Sequence, residues 1–336
     1  MSHHATDLSS RSLFTRYALC ATILTIALGL AGWDWVESLL HPLGLRADRD
    51  VSAEVSASQA SQSTHEEASD GSHSLDESIF SDPLISDEWS GDEVGAKRDI
   101  STWRYKGKRG ARSRRASARA RTPELKKIFK SAGVDWPPAD LYLRAFKREG
   151  ELELWASSER GDEMKPILTW KLCALSGVIG PKRQEGDEQV PEGFYKLTGY
   201  NPYSRYHLSM RVSYPNRADR ILGHPSQPGS DIMIHGDCLS IGCLSMTDAR
   251  VEELWAITEA WKRHKQNRRR RRFISLTISP TRQLNDLLAL AAHHDVSDED
   301  RLLWEVLRDA DAQFTSTRRP PQVSVDQEGT YLLESR

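Results

Sequence analysis

Cysteine is scarce here: four residues in a chain of 336. No second paired cluster of Cys or His at finger-like spacing accompanies them, which disfavours a structural zinc module. No nucleotide-binding glycine loop and no clear cofactor motif appears, so neither dinucleotide nor phosphate-loop chemistry is expected, and no cofactor is assigned. Internal repeats are absent as well. The uncharged, mostly apolar run from Tyr17 to Trp33 is slightly short of the ~20 residues usual for a spanning helix. A net charge of −2 says little, because it averages two opposed blocks. Residues 48–95 hold 13 acidic side chains and one basic, while 97–121 hold 11 basic and one acidic. Neither block has the apolar spacing that a core needs, so both read as disordered.

What is present divides the chain. Arg11 and Arg16 precede the apolar run, the pattern of an export signal. Trp33 and Trp35 favour an uncleaved interfacial anchor, whereas Gly29 and Ala31 would suit cleavage. Residues 1–45 are therefore expected to be a signal anchor or signal peptide, with a membrane segment at about 17–33 in the inner membrane. Residues 46–122 read as a disordered linker, acidic then basic. The Arg-rich part, Arg112 to Arg119, reads as a solvated tether, and no nucleic acid is expected as a partner. Order is expected from Pro123. Glu124 to Ala132 reads as a helix. Strands are expected at Leu141–Phe146, Leu152–Trp155, Ile167–Leu172, Gly193–Leu197, His207–Val212, Asp231–Ile234 and Phe273–Ile278. A helix capped by Thr247 or Asp248 places Val251, Leu254, Trp255, Thr258 and Trp261 on one face. Helical patterns at 281–294 and 298–312 and a small hairpin, 323–325 with 330–333, complete the chain.

The chemistry concentrates at Ile232 to Cys243. An apolar strand ends in His235, a Gly-containing loop follows, and Gly242 precedes Cys243. A thiol is a nucleophile only as thiolate, and a nearby imidazole can take its proton. Gly242 leaves the Cys243 amide uncrowded, free to stabilise an oxyanion. That layout suggests acyl transfer through a thioester. Two competing readings remain. His235, Cys238, Cys243 and His224 form a conceivable but poorly spaced metal set, and no metal is assigned. Cys173 and Cys238 read as small buried hydrophobes; pairing of Cys173 with Cys238, or of Cys238 with Cys243 as a redox latch, are the other possibilities. Lys182 and Arg183 read as a solvated turn, His207 and His224 as structural, and Trp136, Trp155, Trp170, Trp255 and Trp261 as core or rim.

Ile234-His235-Gly236 with Ser240-Ile241-Gly242-Cys243 resembles the signature of L,D-transpeptidase catalytic domains of the YkuD type, and within them the YafK-like subgroup. Tyr142 to Lys147, Gly180 to Arg183, Gly186 to Tyr195, Tyr214 to Asn216 and Asp219 to Gly223 are similar too. One departure stands out: the second residue after the cysteine is Ser245, where typical members carry Arg or Asn. The resemblance implies a mixed, largely β, sandwich-like domain with peripheral α-helices. The resemblance covers about residues 124–335, and within it the catalytic domain is expected at 123–280 and a helical extension packed on it at 281–336. It also implies a periplasmic enzyme acting on peptidoglycan stem peptides at the carbonyl of meso-diaminopimelate. Cys243 would be the nucleophile and His235 the base. Ser240 would shape the loop and orient the imidazole. Gly242 and Cys243 would give the oxyanion donors, and Gly236 would support the motif. Hydrolysis at the same site, releasing D-alanine or a murein-linked lipoprotein, and a non-catalytic murein-binding module are the rival readings.

Overall fold

Alternation of apolar and polar residues decides which strands form the centre of this molecule. In the computed structural model, β1 (Asp140–Phe146) buries Leu141, Leu143 and Ala145 on one face and presents Tyr142, Arg144 and Phe146 on the other. It pairs antiparallel with β2 (Glu151–Ser157), which pairs in turn with β3 (Lys165–Lys171). The structure describes residues 75–81, 84 and 107–335, apart from 266 and 268–271. The membrane segment expected at 17–33, most of the acidic linker and four of the five consecutive arginines at 268–272 lie outside the described residues. Among the described residues, no helix is long and apolar enough to cross a membrane.

Three further strands, β4 (Gly193–Asn201), β5 (Ser209–Val212) and β6 (Met233–His235), are followed by a two-residue β7 (Leu244–Ser245) and by β8 (Ile274–Ser279). One mixed sheet results, in the order β3-β2-β1-β8-β4-β5-β6-β7. The pairings β1 with β8 and β6 with β7 are parallel. A separate hairpin joins β9 (Val323–Val325) to β10 (Tyr331–Leu333).

Helices cover both faces. The first two are α1 (Gly107–Ala120) and α2 (Thr122–Ser131), and a short α3 spans Arg217–Leu222. The helix α4 (Asp248–Arg263) starts at Thr247, whose side chain accepts from the Arg250 amide. Its buried Val251, Leu254, Trp255, Thr258 and Trp261 meet the Leu141/Leu143 face, where Trp170 Nε1 donates to Glu253 at 2.8 Å. Each such side chain taken fully out of water is worth about 1.5–3 kcal/mol. The last two helices are α5 (Leu284–Ala291) and α6 (Asp298–Thr317). Phe314 of α6 packs edge-on against Tyr142 and Trp155 on the opposite face.

Two expectations are corrected. The Arg-rich block, read as disordered linker, is helical over 107–120. Arg and Ala favour helix, and α4 carries complementary acids: Arg115 and Arg119 pair with Glu259, and Arg121 with Glu252. Part of the acidic block also docks. Asp76 caps a 3-10 turn, Glu77–Phe80, whose Ile79 is fully buried. The Leu84 amide donates to Gly177 O.

A buried ion pair sits at the end of β1. Lys147 Nζ donates to Glu192 Oε1 at 2.8 Å, to Gly180 O at 2.6 Å and to Val190 O at 2.9 Å. Glu192 also accepts from Trp304 Nε1 and from the Gly180 amide, both at 2.8 Å. Burial pushes the Lys147 ammonium below its ordinary pKa, and the Glu192 charge works against that. This hub fixes the loop between β3 and β4, which backs the functional site.

Candidate active site

His235 closes β6, and Ser245 lies opposite it on parallel β7. Paired residues project to the same side of a sheet, and so do residues two apart on one strand. Ile234 and Leu244 point the other way, into the core, both fully buried. Cys243 immediately precedes β7, and its thiol lies beside Asp231 and the Met233 backbone, at the start of the strand that His235 ends.

The imidazole is tightly held and 2% exposed. Its Nδ1 lies 2.6 Å from Gly236 O. A carbonyl only accepts, so Nδ1 carries the proton and Nε2 is the basic nitrogen. Nε2 faces Ser245 Oγ at 3.4 Å, and Ser245 Oγ donates to Leu239 O at 2.5 Å. Tyr206 lies over the ring at 4.7 Å between centroids, tilted by 30°. Burial lowers the His235 pKa, opposed by the bond to Gly236.

The thiol of Cys243 is half-buried and unpaired, and it lies 3.8 Å from Asp231 O, its hydrogen-bond acceptor. Burial raises its pKa; the Met233 backbone lowers it, Asp231 raises it and Lys182 lowers it. Burial therefore works against charge on both, disfavouring imidazolium at His235 and thiolate at Cys243.

The loop between them is constrained at every step. A Cβ on Gly236 would come within 2.6 Å of Asp248 Oδ1 and 2.9 Å of His207 Cβ, so only glycine fits against the start of α4. Asp248 Oδ1 accepts from the Asp237 amide at 3.1 Å. Gly242 has φ +115 and would drive a Cβ to 3.0 Å from Gln189 O. Cys238 is bonded to Cys173, across 65 residues. This corrects the reading of both as small buried hydrophobes: the 236–242 loop brings Cys238 within bonding distance of the segment after β3. The Cys173 amide also donates to Ser245 O at 2.9 Å. The bond removes Cys238 from the conceivable metal set and excludes a Cys238–Cys243 latch in this state. Among the described residues no cluster of three metal-ligating side chains occurs.

Two assigned roles shift. Ser240 Oγ donates to Cys243 O at 2.7 Å, so it shapes the loop, but the contacts to the imidazole come from Tyr206 and Ser245. The Gly242 amide donates to Ser176 Oγ at 2.7 Å and approaches Ser240 Oγ at 3.2 Å. Its φ turns that N–H toward Ser176 and away from an oxyanion role, which leaves the Cys243 amide as the candidate donor. Lys182 is not a solvated turn residue; it is 4% exposed and pairs with Asp187 at 2.6 Å. Arg183 pairs with Asp300. His207 is structural as read: Nε2 meets Glu252 at 2.9 Å and Nδ1 meets Asp248 at 3.4 Å. Ser245 carried a signal in the sequence, as the departure two residues after the cysteine; Tyr206 carried none.

A histidine at the end of one short strand and a cysteine just before its parallel neighbour, joined by a glycine-bounded loop, make a candidate thiol–imidazole site of the kind that suits acyl transfer. Residues 157–265, which include both side chains, match the L,D-transpeptidase catalytic domain (YkuD). "Putative L,D-transpeptidase YafK" of Escherichia coli K12 is 32% identical over 195 residues, covering 57% of this chain and 73% of YafK. Its counterpart in Escherichia coli O157:H7 matches equally. The chain belongs to the YkuD-type L,D-transpeptidase family. Among solved structures, the helical cell shape determining protein Pgp2 of Campylobacter jejuni is 16% identical with a TM-score of 0.34, over 60% of this chain and 79% of Pgp2. Bdellovibrio bacteriovorus Bd1075 is 17% identical with a TM-score of 0.29, over 54% and 64% of the two chains.

Proposed function

We propose that this protein is a cysteine-dependent L,D-transpeptidase acting on peptidoglycan stem peptides, with Cys243 as nucleophile and His235 as base. The observation that carries the reading is the parallel pairing that sets His235 opposite Ser245, two residues from Cys243, with Nδ1–H committed to Gly236 O. That bond leaves Nε2 as the proton acceptor. Burial disfavours charge on both groups, so the thiolate forms only as a carbonyl is attacked. Sγ attacks the carbonyl of meso-diaminopimelate while Nε2 takes the Sγ proton. The Cys243 amide stabilises the oxyanion. Collapse breaks the bond to D-alanine, whose amine leaves with the proton from Nε2–H. An acceptor amine then attacks the thioester, gives a proton to Nε2 and restores the thiol.

An exported, periplasmic location accords with the Cys173–Cys238 bond, since disulfides persist in oxidising compartments. In this reading the N-terminal segment tethers the domain to the inner membrane. The test is incubation of the purified protein with tetrapeptide murein fragments and analysis of products by mass. Released D-alanine with cross-linked dimers is expected, and Cys243→Ala should give neither. Tripeptide or freed lipoprotein without cross-links would replace transfer by hydrolysis. Normal turnover in the Cys243→Ala protein would remove the cysteine from the mechanism altogether.

A further inference from the structure

The helix α1 buries little of itself. Ala111 and Ala118 are its buried apolar side chains, and its ion pairs to Glu259 are formed by arginines 43% and 57% exposed. Exposed ion pairs contribute little to stability, so packing along α4 holds the helix. One of its side chains reaches the loop that covers His235. Arg114 Nη1 donates to Ser204 O at 2.7 Å and to His207 O at 2.5 Å, closing both ends of a four-residue loop. Within that loop the Tyr206 amide donates to Ser204 Oγ at 3.0 Å, and His207 sits at φ 61, a conformation that non-glycine residues adopt at a cost.

This loop meets the catalytic histidine in two ways. Tyr206 covers the imidazole, 4.7 Å between centroids, with its own outer side 41% exposed while His235 beneath it is 2% exposed. Directly after the loop, Leu208 O accepts from the Gly236 amide at 3.2 Å, and Gly236 O is the acceptor that fixes Nδ1 of His235. The face of the ring and the peptide that sets its tautomer are therefore both tied to one loop, and Arg114 staples that loop. Arg121, just beyond α1, adds a brace: its Nε donates to Glu252 at 2.9 Å, and Glu252 holds His207.

We propose that Arg114 is a positioning residue for His235, acting through the 204–208 loop that covers the imidazole and holds the Gly236 peptide. The proposal rests on the reading of His235 as the base and extends it to a segment N-terminal to the matched catalytic domain. No contact runs from Arg114 to the imidazole itself; its effect passes through the 204–208 loop. Groups facing His235 are Tyr206 from that loop and Ser245 from β7, with Cys243 just before β7. Asp248 and Glu252 of α4 lie behind Gly236 and His207. Asp231 stands beyond the thiol. Without the Arg114 staple, Tyr206 uncovers the ring and water reaches it, which removes the main cause that lowers its pKa.

The experiment uses the full chain and two readouts. The first is NMR titration of histidine-labelled protein, with the His235 signal assigned by its loss in His235→Gln. The second is turnover of a tetrapeptide murein fragment. In Arg114→Gln the His235 midpoint should rise toward the ordinary imidazole value, and kcat should fall about tenfold with KM little changed, the signature of a lost positioning interaction. Arg114→Lys should restore part of both. Tyr206→Leu should reproduce the midpoint shift without touching α1. Arg119→Gln breaks a different contact of the same helix and should move neither, so a general loss of stability is separated from positioning. An unmoved midpoint in Arg114→Gln, or an equal shift in Arg119→Gln, would overturn the proposal. If wild-type protein fails to turn over the fragment, the functional reading fails instead, and the midpoint alone then decides the role of Arg114.

Discussion

The two halves of the sheet are built on different terms. On one side β3, β2 and β1 are each seven residues long, β8 is six and β4 nine. On the other, β5, β6 and β7 have four, three and two. The long strands are held by extended ladders, bulged once between β2 and β3, and by buried side chains. The short ones cannot be held by their ladders alone. They depend on the Cys173–Cys238 bond, on glycines that admit close contacts, and on side chains that bond to main chain. The candidate chemistry lies wholly on the short side. Stability from burial and precision from individual bonds have been assigned to different regions, so the two should respond differently to substitution.

The largest effect belongs to the short side. His235→Gln should lower turnover of tetrapeptide fragments by about 10³-fold, within the range usual for loss of a general base. Its unfolding midpoint in urea should change little. A loss of stability as large as the loss of activity would erase the distinction. On the long side, Glu192→Ala strands Lys147, 1% exposed, without its counter-charge. It should cost about 3–5 kcal/mol in urea unfolding. A cost under ~1 kcal/mol would mean that the hub does not hold the β3–β4 loop.

Replacing both Cys173 and Cys238 by Ala should remove about 2–4 kcal/mol and also lower activity, because the bond closes the loop between base and nucleophile. Full activity with reduced stability would place the bond with the scaffold. Proton inventory sharpens the contrast further. Burial lowers the His235 pKa, so the neutral base persists below pH 6.5 and the acidic limb of kcat/KM should lie below that value. Burial raises the Cys243 pKa, so iodoacetamide should react with the free enzyme mainly above pH 9.0. Rapid alkylation at pH 6 would reveal a resting ion pair and contradict the uncharged one. The smallest effect is expected from Ser245→Ala, a loss of a few-fold in kcat, since the hydroxyl steadies Leu239 O and faces Nε2.

Legibility followed the same division. The long strands could be read from alternation, as at Leu141–Leu143–Ala145, and α4 from its apolar face with a threonine cap. His235, Gly236, Gly242 and Cys243 stood out because residue type and spacing alone suggest thiol chemistry. The two-residue β7 left no periodic signal, so the pairing of Ser245 with His235 was invisible. Tyr206 and Arg114 reach the site through folding of segments 29 and 121 residues away from His235 in sequence, which no local pattern reports. The Arg-rich block misled because its partners, Glu252 and Glu259, lie on another helix: like charges in one stretch predict disorder only while opposite charges elsewhere are left out of account. The disulfide was one of several pairings that three cysteines allow, and only the path of the 236–242 loop selects it.

The central claim is that the Cys243 thiol, relieved of its proton by His235, carries the acyl group. Mixing the full chain with tetrapeptide fragment, quenching in acid within the first turnovers and mapping the peptides by mass tests it most directly. The account predicts a tripeptide-derived adduct on the peptide containing Cys243 in wild type, greatly slowed in His235→Gln and absent in Cys243→Ala. Turnover without any adduct, or an adduct that persists when Cys243 is gone, would contradict it.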